Sequence, residues 1–173
     1  SYYMTGNLTG ISGTNGITVR ANNVTIDLNG FTLSGVNGSA DGINVGNPGS
    51  QSPINATNLA VLNGVIQGWG GFGIRAARGY NCRFEQLHLS GNGSVGLDAG
   101  GNSVVSHCVA QNNAAGGSTS GGPEILFEAS PARANDGDGF HIGYGRAVNC
   151  IARDNTINGF RAFGGSVVKD CTA

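Results

Sequence analysis

The chain has 173 residues, of which 32 are glycine, and its charge is nearly balanced, with 9 Lys and Arg against 10 Asp and Glu. It carries no basic stripe for a phosphate backbone and no apolar run long enough to cross a bilayer, so we expect neither a nucleic-acid partner nor a membrane span. No signal peptide is visible in the chain, and a start at Ser1 fits either a processed end or an excised segment.

A four-residue phrase, consisting of glycine, a large apolar residue, any residue and an apolar residue, recurs along the sequence. Its six copies begin at Gly16, Gly42, Gly73, Gly96, Gly139 and Gly159. Alternation within each copy predicts a strand, and further short alternating stretches follow it, such as 23–26 and 31–33. Units that cannot bury an apolar face alone must stack on one another. The sequence therefore predicts an all-β fold with one domain over residues 1–173, a parallel β-helix of about seven coils with three short strands in each.

Alignment of the copies gives columns of equivalent residues. One predicted buried column contains Ile17, Ile43, Ile74, Leu97, Phe140 and Phe160. Asn92, Asn113 and Asn155 share a turn position, where stacked amides can hydrogen-bond along the axis because each carries a donor and an acceptor.

Both ends of the sequence resemble a turn of the β-helix rather than a segment that caps it. Tyr2, Tyr3 and Met4 resemble a strand, and the sequence stops within a coil, at the segment formed by Cys171, Thr172 and Ala173. One hypothesis is head-to-tail stacking, in which these six residues continue the coil of a neighbouring subunit as a filament. The alternative is that the chain is a piece of a longer protein.

Trp69 is the only tryptophan of the chain and lies in the segment Trp69-Gly70-Gly71-Phe72. An exposed indole there would stack against a sugar ring. A tryptophan that packs on its own turn explains the same pattern.

The middle residue of each phrase is predicted to point outward. In order, these residues are Thr18, Asn44, Arg75, Asp98, His141 and Arg161. The last four are ionisable and are expected on successive coils, with Arg75 and His141 favouring the carboxylate form of Asp98. They form either a site for acid–base chemistry or a ladder of exposed ion pairs that contribute little to stability.

The longest gap between phrase glycines, 43 residues from Gly96 to Gly139, predicts a loop insertion at 114–134. It would form a lid on this chain or a contact surface for another one. The segment that follows, Asn135 to Gly139, looks calcium-like but has Ala134 in place of the first ligand, and a turn explains it more simply. We expect no metal site and no cofactor, with calcium as the weaker alternative.

Four cysteines lack the paired short spacing of a zinc site. Cys108, Cys150 and Cys171 share a column with Leu87, and Cys82 lies in another. Stacked coils bring the Cα atoms within disulfide range, but their side chains point in parallel, so buried thiols are favoured over disulfides.

Across 1–173, including the segment from Asn23 to Phe31, the chain resembles the right-handed parallel β-helix proteins of the pectate-lyase-like group. The resemblance implies right-handed coiling; a left-handed helix would need a regular six-residue spacing. It also implies action on acidic polysaccharides, with Asp98 as base or calcium ligand, His141 as acid or base, and Arg75 and Arg161 as uronate binders. The polygalacturonase signature and the Asp-Pro-His-Asp epimerase motif are absent.

These observations lead to one function hypothesis and two alternatives. The first is an extracellular or cell-surface structural protein that associates end to end into a filament. The second is a lyase, hydrolase or epimerase on acidic glycans that uses Asp98, His141, Arg75 and Arg161. The third is a carbohydrate-binding β-helix that uses Trp69, Arg75 and Arg161.

Overall fold

The computed structural model describes residues 1–46, 56–120 and 122–173. The described residues form twenty strands and no helix. The strands are β1 (Tyr2–Tyr3), β2 (Leu8–Thr9), β3 (Ile17–Val19), β4 (Thr25–Asp27), β5 (Thr32–Ser34), β6 (Ile43–Val45), β7 (Ala60–Gln67), β8 (Ile74–Tyr80), β9 (Arg83–Ser90), β10 (Val95–Gly101), β11 (Val104–Ser106), β12 (Val109–Gln111), β13 (Gly116–Ser120), β14 (Ile125–Glu128), β15 (Pro131–Arg133), β16 (Asp138–Ile142), β17 (Gly145–Val148), β18 (Ile151–Arg153), β19 (Phe160–Ala162) and β20 (Val167–Lys169).

The strands build a parallel β-helix of two sheets. The seven-stranded sheet takes one strand from each coil, in the order β3, β6, β8, β10, β13, β16 and β19. The other sheet has thirteen strands, usually two per coil, because the chain bends within it; β7 and β9 run through that bend as single strands. Neighbouring strands pair in parallel, as in β10 with β8 and β13. The predicted solenoid of about seven coils is confirmed.

The predicted buried column is confirmed by the register of the seven-stranded sheet. Ile43 pairs with Ile74, Ile74 with Leu97, and Phe140 with Phe160. The rings of Phe140 and Phe160 stack with centroids 5.1 Å apart and planes 6° from parallel. Equivalent side chains therefore contact each other along the axis and form one continuous core.

The loop insertion predicted at 114–134 is wrong. This segment contains β13, β14 and β15, which pair with the strands of the coils before and after them and complete a coil. Gly117-Ser118-Thr119-Ser120 is a further copy of the phrase in which serines occupy the apolar positions. Ser118 lies in the core column between Leu97 and Phe140 and is only 3% exposed. Because Ser118 is polar, this copy does not match the apolar pattern of the phrase.

The asparagine ladder is confirmed and has one more member, Asn135. The Nδ2 atom of Asn92 donates to Oδ1 of Asn113 at 2.9 Å, Asn113 to Asn135 at 3.0 Å, and Asn135 to Asn155 at 2.8 Å. Each Oδ1 also accepts from a backbone N–H of the preceding coil, as Asn135 does from Asn113. The ladder thus satisfies buried backbone groups at a corner where sheet pairing stops.

The cysteines occupy corner positions that serine fills on other coils. Each corner serine or cysteine follows a residue with positive φ. Its side chain donates to the carbonyl two residues earlier, as Ser130 does to Glu128 at 2.8 Å and Cys150 to Val148 at 3.4 Å. It also accepts from the preceding coil, as Ser130 does from the backbone N–H of Cys108. Ser130 separates Cys108 from Cys150 in the column.

All four thiols are free. Burial raises the pKa of Cys82, and it raises the pKa of Cys108 to about 12 and that of Cys150 to about 11. Burial therefore suppresses the reactive thiolate form of these three side chains. Their role in the fold is that of hydrogen-bonding core residues.

Candidate functional site

The middle residues of the phrases lie in register on the outer face of the seven-stranded sheet. This outward row consists of Thr18, Asn44, Arg75, Asp98, Thr119, His141 and Arg161. Thr119, which belongs to the coil that the pattern missed, separates Asp98 from His141. The expectation that Asp98 and His141 lie on successive coils is therefore wrong.

Asp98 has Arg75 and Thr119 as its cross-strand neighbours. The Thr119 hydroxyl donates to Oδ1 of Asp98 at 3.0 Å. Burial raises the pKa of Asp98, and the Thr119 hydrogen bond and the charge of Arg75 offset this only in part. The expectation that Arg75 and His141 favour the carboxylate form of Asp98 is therefore wrong. Thr119 separates His141 from Asp98, and desolvation exceeds the attraction of Arg75.

A cluster around Asp138 brings together the two other ionisable residues of the row. Asp138, at the start of β16, is 9% exposed, and its Oδ1 accepts from Nδ2 of Asn158 at 2.7 Å. Its Oδ2 lies 3.7 Å from Nδ1 of His141 and 3.7 Å from Nη1 of Arg161. Phe163 completes the group, with the Arg161 guanidinium 5.1 Å and the His141 ring 5.4 Å from its centroid. We call these five residues the Asp138 cluster.

The cluster combines a buried anion with exposed functional groups. The side chains of His141 and Arg161 are 38% and 50% exposed, so both reach solvent, whereas the Asp138 side chain between them is only 9% exposed. A carboxylate beside an imidazole is found where a general base has a positioning group, although 3.7 Å is longer than a hydrogen bond between them. A guanidinium beside it can hold a carboxylate of a ligand.

Sequence reasoning missed Asp138 because it treated the 135–139 segment as a turn. The residue before the phrase glycine contacts the middle residue of the same phrase: Nδ2 of Asn15 donates to the Thr18 hydroxyl at 3.3 Å, and Nδ2 of Asn44 donates to Oδ2 of Asp41. A polar residue three positions before a polar middle residue therefore indicates a contact between their side chains. This spacing could have identified Asp138 as a partner of His141.

Arg75 forms a second arginine–aromatic pair on the same sheet. Its guanidinium lies 5.2 Å from the centroid of the Phe72 ring. Arg75 and Arg161 are four coils apart in the outward row, a span of about 19 Å at the usual strand spacing. The part of the outward row that contains ionisable residues therefore begins at one arginine–aromatic pair and ends at the other.

Trp69 cannot stack on a sugar, and this prediction is corrected. The side chain is 1% exposed, and its Nε1 donates to the carbonyl of Leu33 at 3.1 Å. The ring packs in the core where Gly10 and Gly16 leave room for it, since a Cβ at either glycine would meet the indole. Its burial is set by these glycines of earlier coils.

The residues expected to mediate self-association differ in exposure. Tyr2 and Tyr3 are 70% and 73% exposed, whereas Met4 is 7% exposed and packs in the core. Cys171 is half-buried, and Thr172 and Ala173 are exposed. Met4 is therefore unavailable for contact with another chain as the coils stand.

Metal ligands are not assembled in the part of the chain that the structure describes: no three His, Cys, Asp or Glu side chains lie close enough together to hold an ion. In the calcium-like segment, the side chain of Asn135 belongs to the asparagine ladder and that of Asp138 to the Asp138 cluster. Among the described residues, no helix is long and apolar enough to cross a membrane.

A parallel β-helix with a polar row along one outer face defines the class of protein. The chain belongs to the right-handed β-helix family, whose model, described as "Right handed beta helix region", matches residues 41–173. This confirms the handedness and excludes the left-handed alternative.

Among solved structures, the chain is similar to the A-module of the mannuronan C-5 epimerase AlgE6 from Azotobacter vinelandii, with 16% identity and a TM-score of 0.52. The match covers 99% of this chain and 59% of that module, and at this identity it shows the fold alone. No curated protein sequence matches the chain.

Proposed function

We propose that this chain binds an acidic polysaccharide along the outward row and that the Asp138 cluster acts on the bound polymer. The observation that carries the proposal is the position of His141 and Arg161 on either side of one buried carboxylate, each 3.7 Å from Oδ2 of Asp138. The similar module that is named as a mannuronan epimerase supports a polysaccharide as the ligand class.

The row suits an extended polymer. Successive coils are separated by roughly 4.8 Å, which is close to the length of one sugar unit in an extended chain. Arg75 and Arg161 can each pair with a uronate carboxylate, because guanidinium groups form bidentate hydrogen bonds with carboxylates. The adjacent rings of Phe72 and Phe163 offer apolar surface to the C–H face of a pyranose.

The chemistry that the cluster supports is removal of the proton next to a uronate carboxylate. His141 takes that proton from carbon C5, the electron pair of the C–H bond moves into the carboxylate, and Arg161 stabilises the added charge. Asp138 orients the imidazole and stabilises the imidazolium. Protonation of C5 by water from the opposite face gives the epimer, and the imidazolium then releases its proton to solvent. Elimination of the C4 oxygen, which takes the proton from the imidazolium as it leaves, gives the product with a C4–C5 double bond.

Calorimetric titration with polymannuronate and polygalacturonate tests the binding. Arg161→Gln should weaken the affinity by about tenfold, the value of one charge-assisted contact of roughly 1.4 kcal/mol. Lys169→Gln, which removes the same charge from the thirteen-stranded sheet, is the matched control. Equal affinity in the two variants would refute a role for the outward row.

The chemistry is tested by exchange of the C5 proton with D₂O and by ultraviolet absorbance of the unsaturated product. His141→Gln should abolish both signals without loss of binding. Asp138→Asn should reduce the rate and shift its pH profile. Binding without exchange or cleavage in the parent protein would leave a carbohydrate-binding β-helix and reject the catalytic part.

End-to-end association into an extracellular filament remains a separate prediction. Electron microscopy of the purified protein at high concentration tests it. Uniform fibres with an axial repeat of about seven coils are the expected result, and a stable monomer would count against it.

A further inference from the structure

A groove of about 360 Å³ runs along the corner where the thirteen-stranded sheet turns towards the seven-stranded sheet. Two axial rows of residues line it, and none of them belongs to the outward row or to the Asp138 cluster. The rows are Ser34, Gln67, Ser90 and Gln111 on one side, and Gly35, Gly68, Gly91 and Asn112 on the other.

Two of the three glycines in the groove, Gly68 and Gly91, fill corner positions whose backbone does not require glycine. Gly68 and Gly91 have positive φ, but Asn112 and Ala134 adopt the same conformation at the equivalent corner of later coils. A Cβ at Gly91 would meet nothing within 4 Å, and one at Gly68 would meet only the Gly35 carbonyl oxygen, at 4.0 Å. Gly68 and Gly91 therefore leave open surface between Gly35 and Asn112.

The row of residues that contains Gln67, Ser90 and Gln111 continues past the end of the groove to two arginines on the next two coils. Gln67 pairs in register with Ser90, Ser90 with Gln111, Gln111 with Arg133, and Arg133 with Arg153. Nε of Arg133 donates to Oε1 of Gln111 at 2.9 Å, which ties the basic end to the neutral wall.

The two arginines are stacked, and the exposed Asp154 follows Arg153 at the corner. Within the described ranges, neither forms an ion pair with an acidic side chain, and like charges directly opposite each other destabilise a strand pair. Burial, and after it the charge of Arg133, lowers the pKa of His88 on the same face. An anion bound here would reduce the repulsion between the two stacked arginines.

We infer that this groove and the two arginines that follow it along the axis form a second binding track for a linear acidic polysaccharide, separate from the Asp138 cluster. Gln67 and Gln111, two coils or roughly 10 Å apart, hydrogen-bond sugar hydroxyls, and Arg133 and Arg153 bind carboxylates. Two coils match about two linked pyranose units, so equivalent side chains meet equivalent sugars. The ligand class rests on the proposed function, but the site does not.

Calorimetry with short oligouronates, too short to span both sites, tests the inference. The parent protein should bind two per chain. Gly91→Asn fills the groove with a residue that the corner tolerates, and it should weaken one site by at least about tenfold. Gly30→Asn is the matched control, since Gly30 also has positive φ and open space around its Cβ position but lies at another corner. Arg133→Gln should weaken the same site as Gly91→Asn.

The outcomes separate this inference from the proposed function. If Arg161→Gln weakens the other site by about tenfold and leaves the groove site intact, both stand. A single site that is lost in Arg161→Gln and unchanged in Gly91→Asn overturns the groove and leaves the proposed function in place. A single site that is lost in Gly91→Asn and unchanged in Arg161→Gln does the reverse. If Gly30→Asn weakens binding as much as Gly91→Asn, or if a neutral mannan binds as tightly as the oligouronate, the groove is overturned.

Discussion

Replacement of Asn135 by alanine removes the centre of the asparagine ladder. The Oδ1 atom accepts from the backbone N–H and from Nδ2 of Asn113, both at 3.0 Å. Its Nδ2 donates to the Ala110 carbonyl at 3.2 Å and to Oδ1 of Asn155 at 2.8 Å. Asn135 itself is fully buried, so water cannot replace these partners in the folded protein.

The magnitude follows from those four hydrogen bonds. At a net value of about 1 kcal/mol each, their loss lowers the free energy of unfolding by roughly 4 kcal/mol. Asn135→Asp should be as damaging, because a carboxylate keeps the acceptors but places negative charge against the Ala110 and Asn155 oxygens. Asn155→Ala loses three bonds and is only part-buried, so it should cost less than Asn135→Ala.

Equilibrium unfolding in urea, followed by the fluorescence of the single buried tryptophan, Trp69, measures these differences. Asn112→Gly is the matched control: it lies at the same corner one coil earlier, with positive φ and an exposed side chain. It should change stability by less than about 0.5 kcal/mol. A loss below about 1 kcal/mol in Asn135→Ala, with an unchanged urea dependence, would refute the ladder as a main source of stability.

Three further predictions concern single positions. Ser130→Ala should cost about 1–3 kcal/mol, because it leaves the buried N–H of Cys108 without a partner, while Ser130→Cys should cost less in the same unfolding assay. Ala134→Asn should stabilise by about 0.5–1 kcal/mol, since Ala134 has a φ of 51° and asparagine tolerates that region better; a lower melting temperature would contradict this. Burial raises the pKa of Asp98, so the folded state binds its proton more tightly than the unfolded state does, and stability falls as pH rises from the ordinary pKa of aspartate through the raised value. Asp98→Asn keeps an acceptor for Thr119 and should remove that fall; an unaltered pH profile of stability would disprove the assignment.

The sequence was sufficient to predict the coil, the core column and most of the ladder because all three repeat at equivalent positions. It failed at the coil that contains Ser118, where a polar residue occupies the core column. Because this coil was not recognised, the predicted outward row lacked Thr119 and had Asp98 next to His141. An error in register along a solenoid thus becomes an error in which groups interact.

Side-chain environment was the part that the pattern could not supply. The segment around Trp69 is compatible with an exposed or a packed indole, and Gly10 and Gly16 on an earlier coil decide that it is buried. In the same way, the groove depends on Gly68 and Gly91, whose open surroundings are visible only when the coils are stacked. Both properties depend on contacts between coils that are distant in sequence.

Asp41 and Asp138 occupy the same position of the coil, and the difference between them shows where chemistry is available. Both are buried, at 7% and 9% exposure. The carboxylate of Asp41 is used on both oxygens, which accept from the backbone N–H of Phe72 and from the Asn44 side chain. In Asp138, one oxygen has an amide partner, whereas the other faces two exposed groups, His141 and Arg161, at 3.7 Å, longer than a direct hydrogen bond. Asp41 therefore stabilises its coil. Asp138 retains an oxygen whose contacts can tighten when a ligand binds, so the coil of Asp138 is the one on which chemistry is available.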